Sequence, residues 1–179
     1  MKIKTIKIKN FRSYKDEVVI EFGDLTEKKK KNDIGKSTVL EALDIFFNDG
    51  KGVIKLDKDD VNKQALALDD TETIISVCFV ELPTKIIIDS TNQTTLKDEY
   101  LLNSNNELEI VKKYSNGGKE KVFVKANHPA NNNCKDLLQK KNTELQKTIK
   151  DNTITCSNQT INAVMRTAIW QHFNSDLQL

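Results

Sequence analysis

The chain opens on alternation. In "KIKTIKIKNF", residues 2–11, Ile3, Ile6 and Ile8 stand against lysines with period two, and Thr5 breaks the phase once. Period two predicts a half-buried strand. "EVVIEF", residues 17–22, predicts a second strand, and the polar "RSYKD" between them can turn, so the pair reads as a hairpin or sheet edge. The pattern then changes. In "STVLEALDIFF", residues 37–47, apolar residues fall at 39, 40, 43, 46 and 47. That is helical spacing, and the turn residues of "NDGKG" end it.

From 71 to 126 the pattern is mostly strand: "TIISVCFVEL", "KIIIDST", "EYLLNSN", "ELEIVKKY" and "KVFVKA". "NSNNE" and "SNGGKE" are turn clusters, so the segment predicts an antiparallel meander. "DKDDVNK", residues 57–63, reads as a solvated acidic loop. As a calcium loop it fails, with Asn62 where the sixth-position glycine belongs and Leu68 where the twelfth-position glutamate belongs. "HPANNNC", residues 128–134, reads as a loop. Residues 135–151 and 160–173 predict two amphipathic helices, the second with a stripe of Ile161, Val164, Met165, Ala168, Ile169 and Phe173. "NSDLQL" after it reads as helix exit or a cut chain. The division expected is 1–126 as one lobe and 127–179 as a helical segment that starts a larger region.

Composition narrows the class. A chain of 179 residues can bury a sizeable core, and 37% hydrophobic with 30% charged residues is an ordinary soluble balance. No apolar run has the length of a membrane span, and the first residues lack the apolar block of a signal peptide. Cys78, Cys134 and Cys156 are odd in number and widely spaced, which predicts reduced thiols in a cytoplasmic protein. His128 and His172 lie far from any cysteine pair, against a zinc site. The formal net charge is +2, of which Lys28 to Lys31 supply +4, leaving −2 elsewhere. The basic balance is one local cluster and does not describe a nucleic-acid-binding face.

The chemistry lies in "DLTEKKKKNDIGKSTVLEALDIFF", residues 24–47. The phosphate-binding loop pattern is G-x-x-x-x-G-K-[ST]. Gly35, Lys36 and Ser37 supply its end, followed by Thr38 and a periodic helix. Glycine lets backbone pass close to phosphates, lysine offers an ammonium to β/γ oxygens, and the serine hydroxyl can ligate Mg²⁺. Helix-start amides and the macrodipole favour the anion. The plain alternative is a polar turn at a helix N-terminus with Asn32 or Asp33 as cap. The first glycine of the pattern is replaced by Lys30, and four lysines stand where a buried strand belongs. Residues 27–31 therefore read as a solvated loop, and Mg-ATP is expected to bind weakly.

"IKIKNFRSYKD", "VVIEFGDL" and "KNDIGKSTVLEALDIFF" together resemble the N-terminal lobe of ABC-type ATPases of the SMC and RecF kind, nearest to the OLD (overcoming lysogenization defect) family of ATP-dependent nucleases. The resemblance is sharp over residues 1–48 and looser to about 126. It implies an α/β fold: an incomplete P-loop ABC-type ATPase head lobe with an antiparallel strand-rich subdomain and C-terminal helices. It implies ATP and Mg²⁺ as ligands. Asn32, Asp33, Gly35, Lys36, Ser37 and Thr38 would wrap the phosphates, with Ser37 on the metal. Arg12 in "NFRSY" would reach toward the nucleotide; read from the residues alone it is equally a surface arginine in a hairpin. Complete relatives sandwich ATP between two heads, which implies a homodimer or a partner ATPase half, with DNA as a target of the complete protein and no membrane. They also need a signature motif, a Walker B strand ending in acidic residues, and, in OLD members, clustered nuclease carboxylates. Here "YSNGGKEK", residues 114–121, reads as a hairpin turn, and no run of four apolar residues leads into Asp-Glu. The expectation is an ATP-binding lobe without catalytic residues of its own. The alternative is a degenerate interaction module docking through the 161–173 stripe.

Overall fold

The computed structural model describes residues 1–23, 33–49, 52–89, 92–173 and 177–178. The fold is α/β, and the chain divides into two compact units, Met1–Val80 with Glu109–Val124, and Glu81–Leu108 with Lys125–Leu179. Residues 81–108 thus cluster with the C-terminal residues, whereas the sequence division groups them with the first lobe.

In the first unit, β1 (Lys2–Lys9) pairs antiparallel with β2 (Val18–Glu21), Ile6 opposite Ile20. Both strands and their hairpin fall where the alternation predicts them. Next comes α1 (Asp33–Asn48), then a 3-10 turn at Lys58–Asp60 and the single-turn α2 (Lys63–Leu66). β3 (Glu72–Val80) runs antiparallel along the other edge of β1. Its register shifts between Ile3 and Thr5. That bulge is the structural counterpart of the broken phase at Thr5: one extra residue resets the alternation, so Ile6 and Ile8 both reach the core with no exposure.

The meander expected after β3 does not form. β4 (Ile86–Asp89) and β5 (Asn92–Thr94) make a separate two-stranded ribbon. The main sheet resumes at β6 (Leu108–Ser115) and β7 (Glu120–Lys125), in the order β2-β1-β3-β6-β7. The Gly-Gly turn between β6 and β7 is a hairpin, as its composition predicts: Gly117 has φ +67° and the Gly118 amide donates to the Ser115 carbonyl at 3.0 Å. The expected strand at 99–105 is absent. The Glu99 amide donates to Thr95 and the Leu101 amide to Leu96, coiling the chain into turns, with Tyr100 at φ +51°.

α1 covers the sheet, but with a stripe rotated from the one the sequence predicts. Val39, Ala42, Ile45 and Phe46 are buried, whereas Leu40 and Phe47 are 67% and 52% exposed. Lys112 of β6 reaches the far end of the helix, donating to the Phe46 carbonyl at 2.7 Å and pairing with Asp49. A cation on the last carbonyls satisfies orphan acceptors and suits the negative end of the dipole.

In the second unit β8 (His128–Pro129) pairs with β9 (Leu177–Gln178), so part of the expected loop at 128–134 and part of the tail are strand. The helix expected over 135–151 begins only at Asn142: α3 spans Asn142–Asp151. Asp136 at φ +56° breaks the first half, and Glu144 turns back to accept the Lys141 amide at 2.7 Å, fixing the start. α4 spans Asn162–Phe173, as the periodicity predicts. Leu145 and Ile149 of α3 pack with Met165, Ile169 and Trp170 of α4, over Cys134 and Leu137. Met165 and Ile169 of the docking stripe are fully buried in this core, and Ala168 and Phe173 pack against it. Arg166, also fully buried, forms a fork with Glu99 at 2.7 and 2.8 Å and an ion pair with Asp89 at 2.7 Å.

Candidate nucleotide site

Residues 35–38 occupy the opening turns of α1. Lys36 is half-buried, Ser37 exposed and Thr38 buried. Tyr14, from the turn between β1 and β2, brings its hydroxyl within 3.4 Å of the Gly35 carbonyl, donating a long hydrogen bond. A Cβ at position 35 would lie 3.3 Å from that hydroxyl, so a larger residue there would press on the turn. Of the other predicted residues, Asn32 lies outside the described residues, as do Lys28 to Lys31, and Asp33 enters only as the first residue of α1.

The β1–β2 turn is fixed from several sides. Phe11 and Tyr14 exchange backbone hydrogen bonds at 2.9 Å each way. Asn10 and Arg12 both adopt the left-handed conformation, φ 52° and 50°. Asparagine enters that region with local hydrogen bonding, whereas arginine is strained there by roughly 1–3 kcal/mol. The surroundings hold both. Asn10, fully buried, donates its side-chain amide to the Asp70 and Glu72 carbonyls and accepts from the Asn62 amide. The Arg12 amide donates to the Asp60 carbonyl at 2.6 Å, and the Asn62 side chain donates to the Arg12 carbonyl at 2.6 Å.

The guanidinium of Arg12 is held as well. Its Nε donates to the Asp60 carboxylate at 2.8 Å, and its terminal nitrogen pairs with Glu41 of α1. Glu41 sits four residues beyond Ser37, about 6 Å along the helix axis. The structure therefore brings Arg12 beside the helix that carries Lys36, Ser37 and Thr38, through Glu41 and Tyr14.

Glu41, Asp60, Asn62 and Asn10 did not emerge from the sequence as site residues. The signal for Asp60 was present: Asp57 and Asp60 have capping-box spacing, and the Asp57 carboxylate accepts the Asp59 amide while Asp60 accepts the Asp57 amide. Residues 57–63 are thus a built platform more than a plain loop, although Asp57, Lys58, Asp59 and Lys63 are exposed to solvent as expected. Val61 and Asn62 are buried, and Gly117 of the β6–β7 turn lies against the Asp57–Lys58 backbone.

An ammonium, two hydroxyl residues and the opening turns of a helix, set against a glycine, form a donor set that fits a phosphate chain with Mg²⁺. Among the described residues no group of three or more His, Cys, Asp or Glu forms a metal site, and no helix is long and apolar enough to cross a membrane.

Comparison with known proteins gives one strong match. Residues 1–178 match the family model described as AAA ATPase domain. No curated protein matches the chain. Among solved structures, one from work on ATP-driven dimerization and DNA-stimulated activation of SMC ATPases is 14% identical, covers 70% of each chain and has a TM-score of 0.47. The SMC head domain from Thermotoga maritima is 14% identical over 70% of this chain and 38% of its own, with a TM-score of 0.38. Both likenesses are distant, whereas the family model spans nearly the whole chain, and the chain belongs to the AAA ATPase domain family.

Proposed function

We propose that this chain is an ATP-binding lobe of an ATPase of the SMC and RecF kind, nearest to the OLD family, working in the cytoplasm in DNA processing or defence against phage. The observation that carries the reading is the placement of Gly35, Lys36, Ser37 and Thr38 in the opening turns of α1, braced by the Arg12 turn, in a chain of the AAA ATPase domain family. Lys36 takes the phosphate oxygens, Ser37 holds Mg²⁺, and Asn32, Asp33 and Thr38 complete the phosphate contacts. Bound Mg²⁺ supplies charge neutralisation on the phosphates. Arg12 adds a second cation beside them.

No run of four apolar residues leads into Asp-Glu, and the run that precedes Asp69 and Asp70, Ala65 to Leu68, lies at α2 and not in a strand, so a residue that would orient an attacking water is missing. Turnover then depends on a partner ATPase half that supplies this residue, with DNA as the target of the assembly. The interaction-module alternative loses support, because Met165 and Ile169 of its docking stripe are spent in the core of the second unit.

Calorimetric titration with Mg-ATP tests the reading. Weak binding is expected, falling as salt rises because the lysine run attracts phosphate over only about 8–10 Å at physiological salt. Lys36→Ala should abolish it without changing the melting temperature, and neither protein should release phosphate. Binding that is the same in Lys36→Ala, or no binding at all, rejects the reading.

A further inference from the structure

We propose that Arg12 is a latched arginine: Asp60 and Asn62 fix it in place, and Glu41 holds its guanidinium until a nucleotide phosphate takes that position. This rests on the reading of α1 as the nucleotide site. Arg12 is held at three points by one short segment: its amide by the Asp60 carbonyl, its carbonyl by the Asn62 side chain, its Nε by the Asp60 carboxylate. A non-glycine residue kept in the left-handed region by this many bonds is strain maintained by its surroundings, a pattern that clusters at functional sites.

The two carboxylates have different parts. Asp60 grips Arg12 at backbone and side chain and is itself fixed by the capping box. Glu41 touches only the guanidinium terminus. The Glu41 oxygen that meets Arg12 is shielded from water, but the two side chains are 26% and 33% exposed, so neither is locked in the core and an anion can reach the guanidinium from its open side. Asp60, Glu41 and Arg12 together carry −1, which opposes an incoming polyphosphate. A phosphate offers the same planar fork the same kind of acceptor with more charge. Arrival of phosphate near Ser37, about one helical turn from Glu41, therefore exchanges one anion for another on Arg12. Asp60 and Asn62 are positioning residues in this scheme, and Glu41 is the competitor.

The opposite signs expected for the two carboxylates provide the test. Mg-ATP affinity is measured by calorimetry, with melting temperature as a folding control, for the unaltered chain, Glu41→Gln, Asp60→Asn, Arg12→Ala, each carboxylate variant combined with Arg12→Ala, and Lys36→Ala. Glu41→Gln should tighten binding roughly three- to fivefold, the scale of a partly exposed ion pair. Asp60→Asn should weaken binding by a similar factor. Both effects should vanish when Arg12 is alanine. A purely structural role for Glu41 cannot raise affinity. An equal gain from Glu41→Gln with and without Arg12 would show that Glu41 acts by its field alone and would overturn the latch, as would no gain at all while Lys36→Ala still abolishes binding. If Asp60→Asn does not fold, Glu41→Gln, on a side chain 26% exposed, still decides. Binding indifferent to Lys36→Ala sinks the site reading itself, and absence of binding in every variant, Glu41→Gln included, sinks both.

Discussion

At the scale of single residues, this chain places side chains and backbone where ordinary propensity would not. Arg12 is the case in point, and Gly117, where positive φ is ordinary, is fixed instead by close packing. Gly117 has φ +67°, and a Cβ there would lie 2.2 Å from the Asp57 carbonyl carbon and 2.5 Å from the Lys58 nitrogen. Backbone cannot swing aside as a side-chain tip can. Gly117→Ala should therefore destabilise the chain by about 1–3 kcal/mol, through strain and displacement of the Asp57–Asp60 turn. Urea unfolding of the two proteins measures this. Unchanged stability would mean that the turn moves freely and is no platform for Arg12. The sequence marked the Gly-Gly turn correctly, but its packing against Asp57, sixty residues away, is invisible to local pattern.

At the scale of elements, α4 shows how periodicity can be right about existence and incomplete about role. Its apolar face was legible, and it is buried. Arg166, lying among those apolar residues, was not singled out. It is fully buried, with Glu99 at 1% exposure and Asp89 at 22%. Burial would pull its proton off, but the hydrogen bonds and charges of Glu99 and Asp89 outweigh that and raise its pKa. Deleting one partner of a buried ion group strands the others. Arg166→Leu should cost about 3–5 kcal/mol in the unfolding free energy, because Glu99 is left charged without compensation. Arg166→Leu combined with Glu99→Leu should recover part of the loss. Denaturant curves for the single and double variants decide, and a single variant as stable as the parent would show that Glu99 finds another partner or protonates without penalty.

At the scale of the whole molecule, several buried groups titrate with the same sign. Burial raises the Cys134 thiol above its ordinary 9.0 and the Tyr114 phenol well above its ordinary 10.0. Burial lowers Lys7, but its hydrogen bond and charge contact with Glu109 raise it above 10.5 on balance. In each case the folded chain holds its proton to higher pH than the unfolded chain. Stability is then fully present below about pH 9 and falls as pH rises through each folded value. The melting temperature should be flat with respect to these groups from pH 7 to 9 and decline beyond, the first part of the decline belonging to Cys134. Cys134→Ala should flatten that first part while lowering the plateau. A melting temperature that stays level from pH 9 to 11 contradicts the raised titration of these groups.

What the sequence by itself determined is whatever depends on near neighbours. Alternation gave β1 and β2, helical spacing gave α1 and α4, glycine pairing gave the β6–β7 turn, and the Gly35–Thr38 motif gave the candidate site. Even the bulge in β1 was written in the phase break at Thr5. Tertiary structure decided the rest. It chose which stripe of α1 is buried, because the sheet, and not the helix, selects among neighbouring apolar positions. It sent β4 and β5 out of the main sheet and coiled 99–105, where Glu99 is bonded to Arg166 sixty-seven residues on. It delayed the start of the 135–151 helix to Asn142. Above all it turned an acidic stretch that looked solvated into the platform under Arg12. The carboxylates and asparagines of that platform have no apolar period and no motif. Their role exists only through hydrogen bonds to residues about fifty positions away, and pairing over that distance is set by the packed fold.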